Sequence, residues 1–373
     1  MSSSKLTFRN LLAVAILLVP YIFYTVFIIR ANQGPVDYET IMTIGHRLLE
    51  GKQVYGENSY YPMPFVMIFA FFSSLPRPVS MALWLLLPVI IALAIAGWRP
   101  YPLLFAPVFS HFAGGQTSIF GLLGLWGYRR NIDPDNIAGG IWLGLTLLKP
   151  QLGLVPLAFA IWKWISFFRS QRRIPRQVWA WGVTMLILYL PGFFLVPDWI
   201  QQWLQHPRPL FERAMSGFIP RTLLILGSKP QTIAYWMIWG ALGALLLLAV
   251  WLLCRRRLPF DALILWSFIT SPLVHDYDLI QIVPLLDTPI LQWAAVILSL
   301  PGWWVIFAAY RNDSAWYAFT IIAFGLLGIW LYQRDKPAKR DPLAEPASSG
   351  EYITSSDKQT SSLVHKLHYH ATV

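Results

Sequence analysis

The stretch GPVDYETIMTIGHRLLEGKQVYGENSYYPMP, Gly34 to Pro64, decides how the rest of the chain is read. It follows one apolar run, Phe8–Ile29, precedes at least eight more, and holds Asp37, Glu39, Glu50 and Glu57 out of eighteen acidic residues. One long apolar run, a polar stretch, then a succession of apolar runs is the pattern of a polytopic membrane protein. Inside the stretch, Asp37 stands where a helix N-cap would, and Ile41, Ile44, Leu48 and Leu49 recur at helical spacing until Gly51. That spacing predicts a short amphipathic helix lying at the membrane interface. A carboxylate there suits a protein that acts on something held at the membrane surface.

Composition agrees. Hydrophobic residues make up 56% of the 373 and charged ones 13%, against about 25% charged in a soluble domain; the mean hydropathy is +0.51. The apolar runs are continuous rather than alternating ~10-residue segments, which excludes a transmembrane β-barrel. After Gly34–Pro64 they fall at Phe65–Leu75, Met81–Gly97, Tyr101–Tyr128 (interrupted at His111–Gln116) and Ile137–Ile165 (broken at Lys149-Pro150). Val178–Val196, Ile233–Cys254, Ala262–Pro272, Leu279–Leu300, Trp303–Ala309 and Trp316–Tyr332 follow. The fold expected is an all-α polytopic membrane bundle of about ten to twelve transmembrane helices, with short amphipathic external helices. The first run is longer than a signal-peptide core and no small-x-small cleavage site follows, so it reads as an uncleaved span.

Charge sets the expected orientation. Lys163, Arg169, Arg172, Arg173 and Arg176 cluster without an acid, Arg255–Arg257 form a second basic loop, and Arg334, Lys336, Lys339 and Arg340 follow the last span. Placing these in the cytoplasm satisfies the positive-inside rule and accounts for the net charge of +11 without nucleic acid. Both termini are then cytoplasmic, Pro76-Arg77-Pro78 is a cytoplasmic turn, and residues 30–63 and 197–230 are external loops. Trp199 and Trp203 share a face of a second short helix in the later loop. Residues 1–332 read as the membrane domain, and 333–373, rich in Ser, Thr, Lys and Pro with His365, His368 and His370, as a disordered tail. Cys254 is the single cysteine, so no internal disulfide and no Cys-based metal cage can form.

Several residues could carry chemistry. Capping would use one Asp37 oxygen and leave the other free to accept a proton from a hydroxyl; Glu39 is the adjacent alternative. Lys149 lies inside an apolar run, where a cation costs roughly 3 kcal/mol and faces a partner or a cavity, unless it snorkels to the interface. Pro150 predicts a helix break beside it, and a lysine at a break can meet a phosphate. Gly114-Gly115-Gln116-Thr117-Ser118 combines close backbone approach with hydrogen-bonding groups, or serves small-residue helix packing. The turn Ser271–Asp278 brings His275, Asp276 and Asp278 together, at a spacing that matches no diagnostic metal pattern. Arg208, Arg213, Arg221 and Lys229 could meet a phosphate or snorkel. No nucleotide-binding fingerprint or HExxH is present, and neither a metal nor a cofactor is expected.

Ordered blocks resemble the integral-membrane glycosyltransferases of the GT-C type, and within them glycosyltransferase family 87. They are Asp37 with the helix to Leu48-Leu49-Glu50-Gly51-Lys52-Gln53-Val54-Tyr55 and then Tyr60-Tyr61-Pro62; Gly115-Gln116; Ala138-Gly139-Gly140 leading to Leu148-Lys149-Pro150-Gln151; and Ser271-Pro272 with His275. The resemblance implies a polyprenyl-phosphate sugar donor, often of mannose, and a glycolipid or glycan acceptor on the non-cytoplasmic face of the cell membrane. Transfer would be inverting and metal-free, with the first-loop acid, here Asp37, as base. Lys149, His275, Arg221 and Arg208 become donor-phosphate candidates, and Glu39, Tyr61, Gln116 and Asp276 line the expected cleft. The rival reading is a transporter or lipid flippase using Lys149 and Asp287 as intramembrane charges; a non-catalytic assembly scaffold would not need Asp37.

Overall fold

A computed structural model describes residues 7–56, 59–205, 216–308 and 317–334. Among them the chain is α-helical, with one 3₁₀ segment and no strand. Among the described residues six helices have the length and apolar composition to cross a bilayer, and shorter apolar helices of 10–17 residues accompany them. The chain is therefore a multi-pass membrane protein. The stretch beyond Arg334, including the three tail histidines, and Arg208 and Arg213 lie outside the described residues.

The first crossing, α1 (Phe8–Arg30), begins at Thr7, whose hydroxyl accepts from Asn10 N, and ends where Asn32 turns left-handed at φ 51°. The Gly34–Pro64 stretch then forms α2 (Val36–Leu49), and the next apolar run forms α3 (Met63–Ser73). The first expectation to change is the fate of that run. Eleven residues rise about 16 Å, half a bilayer, and α3 folds back on α2, with Ser73 Oγ donating to Met42 O at 2.9 Å. The first half of the apolar face of α2 is covered by protein: Ile41 and Ile44 are 0% and 1% exposed, worth about 1.5–3 kcal/mol each, while Leu49 at its end stays exposed. The chain has thus not crossed when it reaches α4 (Arg77–Ile95). Arg77 bonds Asn32 O at 3.2 Å and pairs with Glu39, so the Pro76-Arg77-Pro78 turn stands at the same end of the bundle as Asp37, not the opposite one. The hydropathy pattern could not distinguish a half-length helix buried in protein from one buried in lipid.

Beyond α4, short arms meet in pairs. α5 (Tyr101–Leu104) and α6 (Ala106–Gly114) lead up to the turn at Gly115–Ser118, from which α7 (Ile119–Arg130) descends. α8 (Ile137–Thr146) rises to Leu147–Lys149, and α9 (Pro150–Gln171) leaves from there, beginning at the proline that the sequence marks as a break. α8 runs parallel to α10 (Arg176–Leu195), with Tyr189 OH on Leu147 O at 3.0 Å. The two backbones come close because a Cβ on Gly140 would lie 2.7 Å from Trp181 N. α11 (Trp199–Gln205) and α12 (Phe218–Ile225) are short; the former is pinned by Trp203 Nε1 on Tyr60 O at 2.9 Å. α13 (Ile233–Leu253) descends, α14 (Phe260–Thr270) rises to the Ser271–His275 turn, and a 3₁₀ segment, Asp276–Leu285, returns. Two last helices, α15 (Pro289–Ala308) and α16 (Tyr317–Arg334), close the bundle, with Ala106 N donating to Ser299 Oγ at 3.2 Å and Thr288 Oγ1 donating to Gln333 Oε1 at 3.0 Å.

The two ends differ in charge. At the end remote from Asp37, Arg129 binds Asp261 (2.8 and 2.6 Å) and Asp287 (3.1 Å). Arg173 pairs with Asp135 at 2.9 Å, and Gln177 donates to the carbonyls of Asn131 and Asp133 at 3.0 and 3.1 Å. Arg255–Arg257 follow α13 at this end, a few residues before Asp261.

Candidate active site

Three of the apices just described converge beneath α2, and each contributes a polar group that would be costly to bury alone. Gly115 has φ +67°, and a Cβ there would sit 2.9 Å from Tyr38 Cβ, so a glycine is what lets the α6–α7 turn seat against α2. Trp84 Nε1 fixes the turn by donating to Gly115 O at 2.7 Å. The next residue, Gln116, is buried and donates through Nε2 to Asp37 Oδ2.

Asp37 is not the N-cap. That place belongs to Pro35, which offers no side-chain cap, and Asp37 is the second helical residue of α2. The rigid φ of a proline before the helix moves the start by two residues relative to the sequence reading. The carboxylate is therefore not spent on capping. Burial raises its pKa above the ordinary aspartate value, while the Gln116 hydrogen bond and the Lys149 charge work against that rise. Glu39 faces elsewhere: it accepts from Gly34 N at 2.7 Å and pairs with Arg77, so it ties α2 to α4. The structure separates the two acids that the sequence leaves side by side.

Below Asp37 lies an ion pair. Lys149 is 7% exposed and Asp278 0% exposed, and Lys149 Nζ donates to Asp278 Oδ1 at 2.7 Å and to Ser118 Oγ at 2.9 Å. Ser118 in turn donates to Asp278, and His275 N donates to Asp278 Oδ2 at 3.0 Å. This pairing excludes the snorkelling reading of Lys149. Asp276 accepts from Ser110 on α6, and the Tyr277 ring lies 4.9 Å from Lys149 Nζ and stacks on His275 at 5.1 Å. Tyr61 lies within electrostatic reach of both Asp37 and Asp278, which joins the upper and lower parts of the site.

Of the residues singled out from sequence, Asp37, Gln116, Tyr61, Lys149, His275 and Asp276 come together, and Glu39 stands apart in its ion pair. Arg221 is 5% exposed on α12, whose approach is tied to the turn by Ser216 N on Val274 O at 2.7 Å. Among the described residues no three His, Cys, Asp or Glu side chains are arranged to hold a metal. The two charges named for the rival reading have separate partners: Lys149 binds Asp278, and Asp287 bonds Arg129 at the other end. Sequence reasoning put Asp276 forward and passed over Asp278 and Ser118 as partners of Lys149. It also passed over His111, 1% exposed, whose Nε2 has no hydrogen-bond partner in the structure and which feels Lys149 and Asp278. The signal for Ser118 and His111 was a polar or ionisable side chain within the span of Tyr101–Tyr128, which demands a partner, whereas Asp278 stands in a polar turn and gave no such signal.

Residues 60–275 match the family model described as Glycosyltransferase family 87, more than half the chain. The match includes Tyr61, Gln116, Lys149 and His275 and begins after Asp37. No curated protein and no solved structure matches the chain.

Proposed function

Because the chain belongs to glycosyltransferase family 87 and is a membrane protein, its chemistry is sugar transfer, and we propose that it moves a hexose, mannose favoured, from a polyprenyl-phosphate donor to a lipid or glycan acceptor. The observation that carries this reading is the Asp37–Gln116 contact. It holds a half-buried carboxylate, free of capping duty, over the apices of the matched segment.

In the proposed reaction the acceptor hydroxyl gives its proton to Asp37 as its oxygen forms a bond to the anomeric carbon, and the bond from that carbon to the donor phosphate oxygen breaks with inversion. The electron pair leaves on a phosphate that already carries charge, so no acid is needed for departure. Lys149 has three protons, two of them held by Asp278 and Ser118, which leaves one for a phosphate oxygen. Its further role is to lock three apices at one spacing, so that Asp37 and the donor site keep their register. The arginines at the far end support a cytoplasmic assignment for that end, which puts both termini in the cytoplasm and Asp37 on the non-cytoplasmic face of the cell membrane. There a lipid-linked sugar brings its own leaving group, where nucleotide sugars are absent.

The test is transfer of labelled sugar from polyprenyl-phosphate donors in membranes, comparing wild type with Asp37→Asn. Loss of about 10²–10⁴-fold in rate is expected for removal of a general base. Full activity in the variant sinks Asp37 as base, and solute uptake without transfer from any such donor favours the transporter instead.

A further inference from the structure

The turn between α13 and α14 carries three consecutive arginines, Arg255–Arg257, all exposed. Arg255 and Arg256 stand in the left-handed region, at φ 52° and 61°. That conformation strains most residues, and glycine escapes the strain. The backbone explains the turn but not its side chains. The N–H groups of Arg255, Arg256 and Arg257 reach the carbonyls of Leu252, Trp251 and Cys254 at 3.0, 2.8 and 3.1 Å, bonds that glycine would make with less strain. Among the described residues no hydrogen bond, ion pair or ring contact engages any of the three guanidinium groups. We propose that this turn is a binding surface for anionic phospholipid, its unpaired guanidinium groups taking the phosphates of the adjoining head groups.

Depth selects a lipid over a soluble anion. The 21 residues of α13 rise about 31 Å, the thickness of a hydrocarbon core. The helix keeps apolar side chains exposed from Ile233 to Leu253, so the residues after Leu253 stand at the level of the head groups. Charge selects the anionic kind. The acids beside the turn are spent, since Asp261 accepts from Arg129 at 2.8 and 2.6 Å and Asp287 at 3.1 Å. Arg129 with its two aspartates carries one net negative charge, so with Arg255–Arg257 the group keeps two positive charges for a ligand to neutralise. A guanidinium edge matches two phosphate oxygens, whereas a net-neutral phosphocholine would bring its own cation to the turn. Basic loops orient a membrane protein wherever in the loop their charges fall, so orientation alone does not account for arginine at two left-handed positions. α14 starts at Phe260 and rises to the Ser271–His275 turn, so head groups held here fix the depth of the helix that carries that turn.

The inference does not depend on the sugar-transfer reading, and its test needs no turnover. The intact protein in detergent is titrated with phosphatidylglycerol or phosphatidylcholine, with and without inorganic phosphate, and bound lipid is read by native mass spectrometry. One arginine at a membrane surface contributes about fivefold in affinity. Wild type is therefore expected to bind phosphatidylglycerol at least about fivefold tighter than phosphatidylcholine, and Arg256→Gly to lower that preference by about fivefold. Arg257→Gln repeats the measurement at a position that is not left-handed, with the same loss expected. Arg173→Gln removes one charge at the same end from an arginine already paired with Asp135, and is expected to keep the preference. Without added lipid, the thermal unfolding midpoint of Arg256→Gly should equal or exceed that of wild type, because glycine relieves the left-handed position. Equal binding of the two lipids in wild type overturns the proposal, as does an intact preference in either Arg256→Gly or Arg257→Gln, or an equal loss in Arg173→Gln. A lower midpoint in Arg256→Gly returns the side chain to the fold and overturns it too. Displacement of the lipid by millimolar inorganic phosphate overturns the lipid assignment in favour of a free-anion site.

Discussion

Replacing Lys149 by Met keeps the length and apolar bulk of the side chain and removes its charge. The Asp278 carboxylate, 0% exposed, is then left without a cation. The partners stand 2.7 Å apart, and at an effective dielectric of about 20 two unit charges at that distance attract by about 6 kcal/mol. Desolvation of both groups offsets much of this, so the pair itself contributes little net stability. Breaking it from one side is different, because the orphaned charge keeps its desolvation penalty, about 3–5 kcal/mol. Lys149→Met should cost that much, and Asp278→Asn a similar amount, since it strands Lys149 at 7% exposure. The double variant strands neither charge. It should be more stable than the sum of the single losses predicts, by about 2 kcal/mol or more, whereas residues that do not interact add within about 0.5 kcal/mol. Equilibrium unfolding in mixed micelles, followed by tryptophan fluorescence, measures all four proteins of the cycle. Additivity within that margin, or a Lys149→Met protein as stable as wild type, would refute the buried pair and with it the account of how the three apices are held.

Further outcomes follow from the same geometry. Burial holds the Asp37 pKa above its ordinary value, and the base must be ionised to accept a proton; transfer should therefore fail on the acid side at a pH above the usual aspartate range near 4, and kcat/KM against pH with the acid limb at or below that range contradicts this. Gln116→Leu removes the hydrogen bond that favours the ionised form, so the limb should move to still higher pH. Gly115→Ala forces a left-handed residue and a Cβ 2.9 Å from Tyr38 Cβ, and should cost about 1–3 kcal/mol; Gly97→Ala, at the same φ of +67° with open space around it, should cost less, and equal unfolding midpoints would remove the clash from the explanation. Glu39→Gln breaks a half-exposed ion pair with Arg77, so stability should change by no more than about 1 kcal/mol and transfer should persist; loss of transfer there would move the base from Asp37 to Glu39.

How far the sequence could be read depended on whether the signal was local. The break at Lys149-Pro150 was legible because proline removes a backbone donor and disfavours helix at the residue before it, and α9 begins at Pro150, although Pro156 inside the same helix does not interrupt it. The close backbone approach at Gly115 was legible in Gly114-Gly115, its left-handed conformation was not, and Asp37, Gln116, Lys149 and His275 were marked as members of ordered blocks. The fate of Phe65–Leu75 was not legible, because hydropathy records that a segment leaves water and not whether lipid or α2 receives it. The Asp278–Lys149 pair joins residues 129 positions apart, and no periodicity reports that distance. The Asp37 cap was misread by two residues because Pro35, a poor cap by side chain, sets the helix start through its backbone.

The division of labour between the two halves of the site has a physical reason. The apices at Gly115–Ser118, Leu147–Lys149 and Ser271–His275 lie inside a bundle where a polar group must find a partner, so Ser118, Lys149 and Asp278 satisfy one another, Asp276 takes the Ser110 hydroxyl, and all become rigid. A proton acceptor placed among them would be consumed by the same network. Asp37 comes instead from α2, outside the matched segment, and touches the network through Gln116 alone among its side-chain hydrogen-bond partners in the structure. One oxygen remains uncommitted. The anchoring of α2 is correspondingly elaborate: Tyr38 OH reaches Ser80 at 3.0 Å, Glu39 takes Gly34 N at 2.7 Å and pairs with Arg77, and Ser73 holds Met42 O at 2.9 Å. None of these bonds involves Asp37 itself. A carboxylate held by its neighbours rather than by its own bonds keeps both position and basicity, which is what a base at the edge of a closed polar network requires.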